Sequence, residues 1–258
     1  MKGTPMTSPV TFDASAWQAS WDRQQASYMP DREHRFATML DVVAAANPDG
    51  APAVLDLAGG TGSISLRTLR RFPRATTTLV DIDPVLLGIA RSSVDERTTV
   101  ISADLRDAAW TGQLPRAAYD AVLTATALHW IDEPRLPALY AEVRSVLRPG
   151  GVFINADHMP DPGLPGLSEQ LAVWDSERRA ADYAGDLSSS WEGWWQRVEQ
   201  DPALAPLVAQ RRQFFDGWHA AEFVPTHDWH LEQLRSAGFG QVGLVWRGLR
   251  DAAVAAVR

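Results

Sequence analysis

Val54-Leu55-Asp56-Leu57-Ala58-Gly59-Gly60-Thr61-Gly62-Ser63-Ile64-Ser65 (VLDLAGGTGSIS) is the stretch that decides the fold. An apolar run of strand length breaks into glycines, and SISLRTLRRF (63–72) follows as a helix. A strand that enters a glycine loop and then a helix turns backbone N–H groups and a positive helix end toward one point. That geometry suits a ligand, and the remaining chain has to identify it.

Outward from the loop, short apolar runs recur at TTTLVDID (76–83), TTVISAD (98–104), YDAVLTAT (119–126) and GVFINAD (151–157). Helical stretches PVLLGIARSSV (84–94) and PRLPALYAEVRSVL (134–147) fall between them. Strands alternating with helices at this spacing predict an α/β fold with a parallel sheet covered on both faces. Upstream, 13–46 reads as a helical segment with Phe36, Leu40 and Val43 on one face, stopped by NPDGAP (47–52). After Asp157 the alternation fails, and 158–225 is rich in Pro, Trp and charge without a strand. It resumes with the helix DWHLEQLRSAGFG (228–240) and the strands QVGLVWR (241–247) and DAAVAAVR (251–258). The link GLRD is too short for a parallel crossover, so that last pair should be antiparallel. The expectation is one domain over 1–258. It comprises an N-terminal helical segment (13–46), a cofactor-binding core (50–157), a helical substrate cap (158–225), and a final helix and hairpin (226–258).

Composition narrows the chemistry. The chain has 258 residues, 45% hydrophobic and 22% charged, as a globular domain does. It has no cysteine, which excludes thiolate zinc sites and cysteine nucleophiles. A net charge of -8 argues against a nucleic-acid partner, since phosphate binding needs a concentrated basic face. No apolar run reaches the ~18 residues of a membrane span, and MKGTPMTSPVTFD lacks the apolar stretch of a secretory signal. These features lead us to expect a cytoplasmic enzyme, monomeric or homodimeric, with a small-molecule substrate and neither a nucleic-acid nor a membrane partner.

The acids at the strand ends choose the ligand. Gly60 and Gly62 give G-x-G, but the third glycine of a dinucleotide fingerprint would fall at 65, which is Ser. Asp56 would repel a pyrophosphate, whereas it favours the cationic amine and sulfonium of S-adenosylmethionine. Asp81, about 20 residues after the loop, is placed to accept hydrogen bonds from ribose hydroxyls, a feature either cofactor would use. Asp104 can accept from an adenine amino group while Leu105 covers the ring. The balance falls to S-adenosylmethionine.

Together VLDLAGGTG, LVDIDPVLLGIAR, ISADLRD, YDAVLTATALHWI and VLRPGGVFINAD resemble the class I S-adenosylmethionine-dependent methyltransferases. The resemblance covers roughly 50–157 and the last 30 residues. It implies a Rossmann-like seven-stranded, mostly parallel sheet with an antiparallel last strand, helices on both faces and a helical cap inserted after strand five. By position it implies that Asp56, Ala58, Gly59, Gly60 and Gly62 face the methionine moiety. Asp81 and Ile82 would face the ribose, Asp104 and Leu105 the adenine, and Thr124 the sulfonium. Ala58 stands where the family usually has glycine. Asp83, before Pro84, reads as a helix N-cap, Asp107 as a cap and Asp120 as a strand-entry residue.

The acceptor side is less marked. Methyl transfer requires aligned reactants, excluded water and, for a protonated acceptor, a base. His158, directly after strand five, is the preferred catalytic base, with His129 in ALHWI as the alternative. Asn155, Asp157, Trp195 and His219 are substrate-binding candidates, and Tyr28 with Arg32 could clamp the cofactor's carboxylate or an acidic substrate. Of Trp174, Trp191, Trp194, Trp195 and Trp218, at least three are expected to pack within the cap and one of the adjacent pair 194/195 to reach the pocket. His227 and His230 flank Trp229 on the final helix, away from the pocket. The six histidines show no metal-binding spacing, so no metal is expected. The acceptor is expected to be a small aromatic or carboxylate-bearing metabolite. A tRNA wobble-uridine or S-adenosylmethionine-modifying enzyme of the same fold, or a non-catalytic cofactor-binding subunit, are the alternatives.

Overall fold

The computed structural model describes residues 12–29, 31–184, 190–216 and 222–258. Its centre is a seven-stranded sheet in the order β3-β2-β1-β4-β5-β7-β6. The strands are β1 (Ala53–Leu57), β2 (Thr76–Asp81), β3 (Thr98–Ser102), β4 (Tyr119–Ala125), β5 (Leu147–His158), β6 (Gln241–Arg247) and β7 (Asp251–Val257). β1 to β5 pair in parallel, and β7 runs antiparallel to both β5 and β6. The expected topology is present, hairpin included. β5 is longer than GVFINAD because pairing already includes Leu147 beside Tyr119.

Every residue of β1 is buried. Its alternation sends Leu55 and Leu57 into one core layer with Val122, Phe153 and Tyr140. Val54 goes to the other layer, with Leu123, Ile154, Phe36 and Val43. Helices cover both faces. They are α1 (Ala14–Tyr28), α2 (Arg32–Ala46), α3 (Ser63–Arg71), α4 (Pro84–Ser93), α5 (Leu136–Val146) and α9 (His227–Ser236), with α6 (Pro165–Ala184), α7 (Trp191–Gln200) and α8 (Ala205–Phe215) in the stretch after β5. Sheet order reverses between β1 and β4, the switch point beyond whose carboxyl ends open α/β sheets bind ligands.

The segment 13–46 is two helices, not one. α1 ends at Tyr28, and Asp31, ahead of α2, takes a left-handed φ of 60°. Pro30 in the sequence accounts for the break, because proline has no N–H and disfavours a helical residue before it.

α7 packs on α1 through aromatic edges. Trp194 is fully buried, 4.9 Å from Trp21 and 5.5 Å from Trp17 between ring centroids, and its Nε1 donates to Ser20 Oγ. Trp191 and Trp195, one turn apart, face the cavity described below, and Trp174 on α6 is exposed. Trp191, Trp194 and Trp195 thus pack on one another, the three expected, and Trp194 alone of them is fully buried because α7 lays its 194/198 stripe on α1 and turns the 191/195 stripe to the cavity. Trp218 lies outside the described residues.

Candidate active site

A cavity of about 560 Å³ opens at the switch point, within the usual range for small-ligand sites. Its floor is the loop after β1. Ala58 adopts a left-handed φ of 54°, Gly60 56° and Gly62 89°. The alanine bears a cost of about 1–2 kcal/mol in that conformation, which is why glycine suits the position. A Cβ on Gly59 would stand 2.7 Å from Asp56 Cγ and 2.8 Å from Leu79 Cγ, so that residue must be glycine.

Two carboxylates anchor the loop. Asp56 is buried at the end of β1, where its Oδ2 accepts from Ser65 N at 2.9 Å and Ser65 Oγ at 2.7 Å. Ser65, which breaks the dinucleotide pattern, therefore has a positive role that the sequence reading missed. Among the described residues Asp56 Oδ1, itself buried, has no partner. Asp81 accepts from Gly60 N through Oδ2 and from Ile82 N and Asp83 N through Oδ1. Burial pushes both carboxyls up to about 6, Asp81 adding a smaller like-charge effect on Asp56. Such a pair favours a cation and hydroxyl donors in the adjoining space.

Beyond Asp81, Asp83 caps α4 through Val85 N and Leu86 N, as expected, and its other oxygen accepts from Arg211 Nε of α8 at 2.6 Å. The Arg211 guanidinium lies 3.8 Å from the Trp195 ring centroid. Neither contact was legible in the sequence, since 128 residues separate Asp83 from Arg211. Asp104 and Leu105 line the same end, Asp104 paired with Arg106. Asp107 caps the following turn through Ala109 N.

Tyr28 and Arg32 border the cavity from the other side. Arg32 is already engaged, its Nη1 2.8 Å from Asp22 Oδ1 and its guanidinium over the Phe36 ring. Among the described residues its buried Nε has no partner. Gly62 and Thr124 do not line the cavity. Gly62 closes the turn into α3 against Leu79 and Val94, and the Thr124 side chain is buried within β4.

At the far end stand His129 and His158, with ring centroids 5.4 Å apart. His129 Nδ1 is 2.7 Å from Asp157 Oδ1, and His158 Nδ1 is 2.7 Å from Asp251 Oδ1. Asn155 and Asp157, expected to touch substrate, do not line the cavity. Both have the same strand parity, opposite to His158. Asn155 donates to Tyr140 Oη from within the sheet's buried face, and Asp157 sits behind His129. His230 is buried against Tyr140 Oη, and burial pushes its imidazole down to about 4. His219 lies outside the described residues. Among the described residues no cluster of histidines and carboxylates could hold a metal ion.

Comparison with known proteins agrees with this geometry. Residues 54–151 match the model of a methyltransferase domain. The chain is 30% identical over 198 residues to the malonyl-[acyl-carrier protein] O-methyltransferase of Halalkalibacterium halodurans, covering 73% of this chain and 69% of the relative. It is 32% identical over 177 residues to the trans-aconitate 2-methyltransferase of an Azoarcus species, covering 67% and 65%. Human N-acetylserotonin methyltransferase in complex with S-adenosylmethionine shares the fold at a TM-score of 0.53 and 17% identity, covering 98% of this chain and 60% of that one. The fold and site define a Rossmann-like methyltransferase. This chain belongs to the class I S-adenosylmethionine-dependent methyltransferases, and S-adenosylmethionine is its cofactor.

Proposed function

We propose that the chain transfers a methyl group from S-adenosylmethionine to a small aromatic or carboxylate-bearing metabolite held in the cavity between the β1 loop and the two histidines. The observation that carries this reading is the line of groups along that cavity. Asp56 borders one wall, Asp81 follows on the next strand, and two imidazoles stand at the far end.

The residues fit the cofactor. Asp56 would favour its ammonium group by charge and through the loop it holds by way of Ser65. Asp81 would accept from the ribose hydroxyls, and its existing bond to Gly60 N keeps the carboxylate in register with the loop. Ile82, Asp104 and Leu105 would receive the ribose and adenine, and Tyr28 and Arg32 the carboxylate end. Bound there, the cofactor supplies an electrophilic methyl group on sulfur. The protein's own work is alignment and exclusion of water, done by Trp191, Trp195 and Phe215 on the cap side and by Met29 and Leu128 below. The relatives named above act on malonyl and trans-aconitate groups by their names, and both groups carry carboxylates.

Calorimetry with S-adenosylmethionine, followed by a metabolite screen read by mass shift, tests the reading. Micromolar-range binding of the cofactor, no binding of nicotinamide dinucleotides, and a methylated product support it. Dinucleotide binding in place of S-adenosylmethionine overturns it.

A further inference from the structure

The two histidines at the end of the cavity differ in one respect that bears on the acceptor. Each ring commits its Nδ1 to a carboxylate, so Nε2 is the atom each can offer the cavity. Among the described residues neither Nε2 has a protein partner. Asp251, behind His158, also accepts a bond from the buried Arg35, so its charge has a cation opposite it without the histidine. Asp157, behind His129, has no arginine among the described residues. Its remaining bonds come from the backbone N–H groups of His129 and His158. A carboxylate sealed from water in that way needs a cation beside it, and His129 is the group available.

Electrostatics agree with the geometry. Burial pushes the His129 imidazole down, and the Asp157 charge and hydrogen bond outweigh it, leaving the group raised, with smaller contributions of the same sign from Glu222 and Asp251. Asp157 is held well below the usual carboxylate range, its burial outweighed by His129 and, less, by His158. A ring with both nitrogens protonated donates from Nε2 and is a poor base. Below its raised midpoint His129 is then a positive donor on a wall formed by Leu128, Trp130, Ile131 and Met29, with His158 and Glu222 the polar groups beside it.

We propose that the methyl acceptor is a carboxylate on an apolar body, its oxygens received by Nε2 of His129 with His158 alongside, and that the product is a methyl ester. The inference rests on reading the cavity as the methyl-donor site. In the transfer, a lone pair of the carboxylate oxygen forms the new O–C bond, and the electrons of the S–C bond leave with sulfur. The carboxylate's negative charge and the sulfonium's positive charge cancel, and no proton has to move. A general base is therefore unnecessary, which accounts for a histidine held toward its protonated form by the Asp157 carboxylate where a phenol or amine acceptor would need a neutral one.

The test uses the protein saturated with S-adenosylhomocysteine, whose binding is measured first by calorimetry. Failure at that stage counts against the cofactor reading, separately from the acceptor. Imidazole Cε1–H signals, assigned with His129→Gln and His158→Gln, are then followed against pH with propionate and with propionamide. Propionate should raise the His129 midpoint by about one pH unit, equivalent to a tenfold preference for the protonated ring, and propionamide should not. His129→Gln should weaken propionate about tenfold and flatten the pH dependence of its binding, with S-adenosylhomocysteine affinity retained as the sign of an intact fold. In parallel, S-adenosylmethionine is supplied with an equimolar mixture of aryl and alkyl carboxylates and the matching phenols. Products cleaved by mild alkali are methyl esters and support the proposal. Alkali-stable methyl ethers as the main product, or histidine titrations unmoved by propionate, overturn it.

Discussion

His129 and His158 stand side by side at 5.4 Å between ring centroids, yet each turns its Nδ1 to a different carboxylate, Asp157 of β5 and Asp251 of β7. The pairing makes the end of the cavity a charged structure as well as a reactive one. Asp157→Asn should cost about 1–3 kcal/mol near neutral pH, because a buried charged hydrogen bond is lost. His129 is raised in the folded state, so its contribution is present below its unfolded value and lost as pH rises through the folded one. Asp157 is lowered, so its contribution is present above the unfolded carboxylate value and lost as pH falls through the folded one. The difference between wild type and variant, followed by urea denaturation, should therefore be greatest in mildly acidic to neutral solution and shrink on both sides. A difference independent of pH would mean that the two groups are not an ion pair.

Asp81→Ala should weaken S-adenosylmethionine by ~1.5–3 kcal/mol, through lost charge-assisted bonds to ribose hydroxyls and a loosened Gly60 N–H. Asp81→Asn should recover part of the loss. Calorimetry with S-adenosylhomocysteine gives the number, and unchanged affinity in the alanine variant would remove Asp81 from the site.

Because burial holds Asp56 and Asp81 up at about 6, both are partly protonated in mildly acidic solution. A cationic ligand and hydroxyl donors favour their ionised forms, so cofactor binding should release protons near pH 6 and tighten as pH rises through that value. Calorimetry in buffers of different ionisation enthalpy reads this directly. Proton uptake at that pH would contradict the assignment of these carboxylates.

Gly59→Ala should destabilise the fold by about 1–3 kcal/mol, since its Cβ would meet Asp56 and the core residue Leu79 well inside contact distance. Ala58→Gly should stabilise slightly, because relief of about 1–2 kcal/mol at its left-handed φ exceeds the roughly 0.4–1 kcal/mol of freedom added to the unfolded chain. Thermal melts of the two variants, run together, separate a packing requirement from a conformational one.

These expectations depend on what the residue order reveals. Glycines after an apolar strand, and acids at the ends of the next two strands, announce the donor side because each feature is local to one strand and its loop. The acceptor side was harder to read. His158 and Asp251 lie 93 residues apart, and His129 and Asp157 lie 28 apart, so neither pair leaves a short spacing pattern. Asn155 and Asp157 were placed toward substrate although strand alternation puts them opposite His158, a distinction that period two carries and that was available in the sequence. Trp194 and Trp195 divide as adjacent helical residues must, one to the core and one to the cavity.

The helices after β5 are tied to the donor side by Arg211, whose Nε donates to Asp83 while its guanidinium lies over Trp195. If α7 and α8 act as a cap, hydrogen exchange across 191–215 should slow when S-adenosylhomocysteine binds, and Arg211→Ala should diminish that slowing. Exchange as slow as in the central strands, with or without ligand, would rule out a moving cap.

The most direct measurement of the central claim is a crystal structure with S-adenosylhomocysteine bound. The account predicts the ribose hydroxyls on the Asp81 carboxylate, the adenine against Leu105, the amino-acid end over the 58–60 loop beside Asp56, and the sulfur turned toward His129 and His158. A ligand seated with its ribose away from Asp81, or with its sulfur turned from the two histidines, would contradict it.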